Sequence, residues 1–206
     1  MARYFDVHPH NPQPRSIAQV VELLRKDAVI AYPTDSCYAL GSRIDNHEGA
    51  DRIRTIRHLD DRHRFTLVCA DFAQLGQLVQ LDNSAFRAIK AATPGPYTFI
   101  LPATSEVPKR LAHAKKRTIG VRIPNHPVAM AILRELGEPL LSSTLLMPGH
   151  EWPMVEGWQI KEELDQVLDA VVDAGDCGTE PTTVVDWTEG APEVVRMGAG
   201  DPDRFS

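Results

Sequence analysis

The sequence has 206 residues, 43% hydrophobic and 24% charged, the balance of an ordinary globular chain. No apolar run approaches the ~20 residues that span a bilayer, and Met1 to Pro14 holds no apolar stretch of the signal-peptide kind, so a cytoplasmic protein with no membrane partner is expected. The formal net charge of −6 argues against a protein that coats nucleic acid without specificity.

A first helix is predicted from Pro14, with Ile17, Val20, Val21 and Leu24 at helical spacing and Arg25 and Lys26 at its negative end. Ala28 to Tyr32 reads as a buried strand ended by Pro33, and Cys37 to Arg43 as a second strand. Asp45 with Glu48 suggests a capping box, opening a helix that carries Ile53, Ile56 and Leu59 inward. Phe65 to Ala70 is a short strand, followed by helices over Ala73 to Val79 and Ser84 to Ala92. The Thr93-Pro94-Gly95-Pro96 turn leads into a strand from Tyr97 to Leu101. Val107 to Ala114 suggests a short helix, and Thr118 to Ile123 a strand. Pro127 to Leu136 forms a helix with proline at its first position and Gly137 as a left-handed cap. Leu140 to Thr144 is a strand, Met147 to Pro153 a loop, and Glu156 to Leu168 an amphipathic helix. Strands over Ala170 to Asp173, Thr183 to Trp187 and Glu193 to Arg196 close the chain. This alternation, with no repeat and no composition break, predicts one α/β domain over residues 1–206 with a twisted mixed sheet flanked by helices. Ligands of such sheets bind at the loops after the strands.

Cys37, Cys69 and Cys177 are odd in number and far apart, so neither a zinc site nor a redox dithiol is expected, and Cys69 reads as a buried small hydrophobe. Eight histidines show no H-E-x-x-H spacing; His8/His10 and His58/His63 lie in polar stretches expected to be exposed, and no metal ligands are assigned. Two segments are locally basic, one holding Arg52, Arg54, Arg57, His58, Arg62, His63 and Arg64, the other Lys109 to Arg122. There is no P-loop, no G-x-G-x-x-G after a strand and no G-x-S-x-G. What remains is hydroxyl and arginine residues at strand ends, suited to phosphate or carboxylate recognition. Thr34 serves either a turn or a ligand. Arg122, alternating with Val121 and Ile123, needs an anionic partner, either a ligand or an internal aspartate. Trp152 and Trp158 suit a lid or an interface better than base stacking, and Asp186 suits a loop cap as well as a site.

Five segments carry a more specific signal: Ala31-Tyr32-Pro33-Thr34-Asp35; Pro94-Gly95-Pro96-Tyr97-Thr98-Phe99; Gly120-Val121-Arg122-Ile123-Pro124; Pro139-Leu140-Leu141-Ser142-Ser143-Thr144; and Pro181-Thr182-Thr183-Val184-Val185-Asp186 with Arg196-x-Gly198 behind it. In this order they resemble the YrdC/YciO family, most closely its YciO branch. The resemblance implies a YrdC-like fold with a concave basic cavity, and a threonylcarbamoyl-AMP synthase type of chemistry, a nucleotidyl transfer from ATP, threonine and bicarbonate linked to tRNA modification. It implies Thr34, Arg122, Ser142 and Thr182 around the amino acid, with Arg122 bidentate to its carboxylate. Thr118, Thr144 and Arg196 would face the nucleotide or adenylate, and Arg57 the phosphates as the catalytic cation, with Mg²⁺ arriving with ATP. The pattern departs at Leu59 and Leu146, where a basic and an amide side chain would stand, so weak activity is expected. The alternative reading is a protein that holds double-stranded RNA or tRNA in the same concavity.

Overall fold

Among the described residues, ten strands and six α-helices follow one another as β1 (Arg3–Asp6), α1 (Pro14–Arg25), β2 (Ile30–Tyr32), β3 (Ala39–Arg43), α2 (His47–Arg57), β4 (Thr66–Val68), α3 (Phe72–Leu78), α4 (Asn83–Ala92), β5 (Tyr97–Pro102), β6 (Thr118–Arg122), α5 (Pro127–Leu136), β7 (Leu140–Thr144), α6 (Gly157–Leu164), β8 (Ala170–Asp173), β9 (Thr183–Asp186) and β10 (Glu193–Arg196). The computed structural model describes residues 1–60 and 63–206; Arg62 of the first basic segment lies outside the described residues. All the strands join one sheet in the order β1-β8-β2-β3-β7-β4-β6-β5-β9-β10. Pairing is parallel for β1/β8, β8/β2, β4/β6 and β5/β9 and antiparallel elsewhere, so the sheet is mixed, as predicted.

Alternation along the strands sends side chains to two apolar layers. Ile30, Tyr32, Leu140, Ala170 and Val172 pack with Ile17, Val20, Val21 and Leu24 of α1 and with Ile132 and Leu133 of α5. Ala31, Leu141 and Val171, one residue out of phase, pack with Ile53 and Ile56 of α2, Leu75 of α3, Ile89 of α4 and Ile160 of α6 on the opposite face. Both faces of the sheet are thereby covered. Among the described residues no helix is long and apolar enough to cross a membrane.

Local chemistry explains the helix ends. Pro127 opens α5, the His126 ring accepts from the Val128 amide at 3.2 Å, and Gly137 closes it at φ 76°. The cap of α2 is Asn46, not Asp45; its side chain accepts from the Gly49 amide at 2.8 Å. That helix stops at Arg57, because His58 turns left-handed at φ 50°. Leu59 therefore lies beyond the helix and is half-buried, not on its inward face.

Three further expectations change. The stretch from Val107 to Ala114 is a series of turns, because His113 takes turn hydrogen bonds: its ring accepts from the Lys116 amide at 2.9 Å and its own amide donates to Thr118. The helix starting near Glu156 ends at Leu164, four residues early, while Leu168 still packs into the core. The edge strand β1 was not predicted; of its four residues only Phe5 is buried, which leaves no alternation to read.

Candidate ligand cavity

A cavity of about 260 Å³ opens between the β2–β3 turn, the end of α2, the inner faces of β5, β6 and β7, and the segments that flank β9. That volume lies near the lower end for small-molecule sites. The wall brings together all eight residues assigned from the sequence: Thr34, Arg57, Thr118, Arg122, Ser142, Thr144, Thr182 and Arg196.

The β2–β3 turn is organised by one hydroxyl. Thr34 Oγ1 donates to the Cys37 carbonyl at 2.7 Å and accepts from the Ser36 and Cys37 amides, each at 3.2 Å. Thr34 thus shapes the turn and lines the cavity at once. Arg122, 7% exposed, reaches this turn from the end of β6. One terminal nitrogen donates to Ser36 Oγ at 3.2 Å and the other pairs with Asp35, whose second oxygen accepts from the Asn125 amide at 3.0 Å. Of the two partners open to Arg122, the structure has the internal aspartate. The fork expected to hold a ligand carboxylate thus spends two of its five N–H groups within the protein, and the buried Nε has no protein partner.

The floor is polar and mostly satisfied. Ser142 Oγ donates to the Leu40 carbonyl at 3.1 Å, so the Tyr32 hydroxyl, 2.7 Å away, donates to it. Burial pushes the Tyr32 phenol up to about 12 and keeps it a neutral donor. Thr182 and Thr98 share a hydrogen bond at 2.7 Å, and Arg196 Nε and Nη2 hold the Thr182 carbonyl at 3.2 and 2.8 Å. This approach requires glycine at 198, where a Cβ would stand 2.1 Å from the Pro181 carbonyl. Thr118 is the exception: 3% exposed and part of the wall, its hydroxyl has no partner. An orphaned buried hydroxyl costs ~1–3 kcal/mol unless a ligand or water meets it.

The remaining end is cationic. Arg57 Nε donates to the Leu146 carbonyl at 3.0 Å, and its Nη1 donates to Ser143 Oγ. His63 Nε2 lies 3.2 Å from the same hydroxyl, its ring edge-on to Phe65 at 5.6 Å. Burial, then the charges of Arg57 and Arg54, pull the His63 imidazole down to about 4. Arg64 also lines this end. Among the described residues the wall carries four arginines and no carboxylate.

His63, Ser143, Arg64 and Ser36 were not assigned from the sequence. His63 was expected at the surface and is instead half-buried in the wall. A signal was present, since His63 shares the period-two face of the fully buried Phe65 in the extended approach to β4. Of the two departures from the family pattern, Leu146 lines the cavity and Leu59 does not. Trp152 and Trp158 are exposed and outside the wall. Asp186 caps its own loop, accepting from the Thr188 amide at 2.8 Å and hydroxyl at 2.6 Å. Cys69 is fully buried, and burial also raises the thiol of Cys37, which lines the wall. The described residues form no cluster of three or more metal-ligating side chains.

Comparison with known proteins bears on the family and the fold. The Sua5/YciO/YrdC family model, described as telomere recombination, matches residues 22–198. The uncharacterised protein YciO of Escherichia coli is 48% identical over 205 residues, covering the full length of both chains; its crystal structure superposes with a TM-score of 0.96. A threonylcarbamoyl-AMP synthase of Vibrio vulnificus is 30% identical over 161 residues, 76% of this chain and 85% of its own. The structure of P. abyssi Sua5 complexed with L-threonine shares the fold at a TM-score of 0.86, with 23% identity, over 95% of this chain and 57% of that one.

Proposed function

The chain belongs to the Sua5/YciO/YrdC family, and from that premise we propose that its cavity binds ATP or an adenylate together with threonine and supports a slow threonylcarbamoyl-AMP synthase reaction. The observation that carries this reading is the wall itself, which among the described residues holds four arginines and no carboxylate around a small cavity.

The reaction asks little covalent work of the protein. Threonine's amine attacks the bicarbonate carbon and water leaves, giving a carbamate, and the carbamate oxygen then attacks the α-phosphate of ATP with release of pyrophosphate. Two anions must approach, so fixed positive charge and positioning do the catalysis. Arg57, held by Leu146 and Ser143, is oriented before any ligand arrives. Arg196 and Thr182 border the opposite side, where the Thr98–Thr182 pair supplies hydroxyls. Arg122 contributes Nε and the positive end of a pair whose terminal nitrogens each already hold an internal partner, so a ligand carboxylate competes with Asp35 and Ser36 for the fork. Thr118 and Thr144 complete the nucleotide side, the Thr118 hydroxyl being free to donate to it. Mg²⁺ enters as part of the nucleotide substrate, coordinated by its phosphates.

Leu146 is the reason to expect a slow reaction. An apolar side chain stands at the wall where an amide would supply a donor, and loss of one such donor costs ~10²–10³ in rate in other enzymes. A helical RNA backbone, the other reading of the basic concavity, is poorly matched by a cavity of about 260 Å³ and by a net charge of −6.

The test is incubation with ATP, Mg²⁺, threonine and bicarbonate, following pyrophosphate release and the adenylate directly. Adenylate that forms slowly, and not at all in Arg57→Ala, supports the proposal. Tight, strongly salt-dependent binding of duplex RNA with no response to ATP would overturn it.

A further inference from the structure

At the cationic end, two side chains converge on one hydroxyl. Ser143 Oγ, on the buried face of β7, accepts from Arg57 Nη1 and has His63 Nε2 at 3.2 Å. Where Nε2 is the unprotonated nitrogen of a neutral ring, the hydroxyl donates its hydrogen to the imidazole while its oxygen accepts from the guanidinium. If His63 takes a proton, the relation reverses. Nε2 becomes a donor, Ser143 Oγ accepts from both cations, and its own hydrogen swings out to the cavity.

We propose that His63 is the second cationic contact of this cavity to a polyphosphate, acting beside Arg57 and taking up a proton as the anion binds. The inference rests on the reading of the cavity as a nucleotide site, and it assigns to a histidine the task that Leu59, turned away from the wall, cannot perform.

The surroundings of the ring set the direction. From α2 it faces the charges of Arg57 and Arg54, the latter paired with Asp51 at 2.9 Å and stacked 4.9 Å over Phe65. From the turn that follows it faces Asp60, which acts in the opposite sense and more weakly than the arginines and burial. Next to it Arg64 also lines the wall. Among the described residues it meets the Ser143 hydroxyl from β7 and the Phe65 edge from its own segment. In the unliganded cavity these groups keep the imidazole uncharged down to about pH 4. A bound polyphosphate offsets the two arginine charges and adds its own, favouring imidazolium. The bound state therefore holds more protons than the free state, and affinity rises as pH falls.

Pyrophosphate is the probe, titrated calorimetrically from about pH 7.5 to about pH 5.5 into the wild-type protein and His63→Gln, whose amide can still reach Ser143. Because the probe's own titration is common to both, the difference between the proteins isolates the ring. Wild-type affinity is expected to gain about tenfold more than that of His63→Gln over this range, with a larger proton uptake read from buffers of different ionisation heat. Ring proton resonances of the wild type, with and without pyrophosphate, give the same answer without a variant: one histidine should titrate in this range only when the anion is bound. Binding with equal pH slopes and no such resonance overturns the role of His63 and leaves the nucleotide reading standing. No binding of pyrophosphate or ATP at any pH overturns both.

Discussion

The two ends of the cavity are built on opposite plans. At the β2–β3 turn, charge is cancelled within the protein: Arg122 against Asp35, Thr34 against three backbone groups, Asp35 against the Asn125 amide. At the end of α2, charge is left open among the described residues: Arg57 is held by a carbonyl and a hydroxyl, and Arg64 and His63 stand beside it in a wall to which no described carboxylate contributes. Self-paired charge defines a shape, while open charge waits for a partner. The first end is a template whose cost is met on folding; the second depends on the ligand to complete it.

Removing one member from each end puts this contrast at risk. The largest effect is expected from Asp35→Ala, which strands a buried guanidinium and should cost roughly 3–5 kcal/mol of stability by chemical denaturation; a loss below about 1 kcal/mol would mean the turn is not a pre-paired template. Next, Arg57→Ala should leave stability within about 1 kcal/mol while weakening ATP roughly 10- to 100-fold, the worth of its charged hydrogen bonds. Were the variant to unfold instead, the open end would prove structural. The smallest change is Thr118→Val. Removing an orphaned hydroxyl should leave the unliganded protein equally stable or up to ~1 kcal/mol more so, and weaken ATP about fivefold. Lower stability with unchanged affinity would show that the hydroxyl serves the fold.

The same contrast governs how much was legible in the sequence. Both layers of the core follow from period-two and period-3.6 patterns, so nearly every strand and helix could be placed, and α5 could be bounded by Pro127 and Gly137. The eight site residues came from a family resemblance, and the cavity gathers them. What stayed hidden depends on partners distant in sequence. Arg122 could be read as needing an anion, but its choice of Asp35 is made by the meeting of β6 with the β2–β3 turn, 87 positions apart. His63 looked like one more solvated residue in a basic run, and only the arrival of Ser143, 80 positions on, makes it part of a wall. The turns after Val107 escaped for the opposite reason: His113 satisfies them locally, and apolar spacing carries no trace of that.

The sheet order has a consequence for how the chain is made. The strand β1 stands at the sheet's edge beside β8, and the cavity wall runs from Tyr32 in β2 to Arg196 in β10. As the chain leaves the ribosome from its N-terminus, α1 and β2 emerge with apolar faces whose partners are not yet synthesised. No ligand of the cavity can rescue such an intermediate, because the last part of the wall arrives with the last strand. The finished domain alone presents the whole wall, so a ligand of the cavity acts on the lifetime of the mature fold and not on the success of its synthesis.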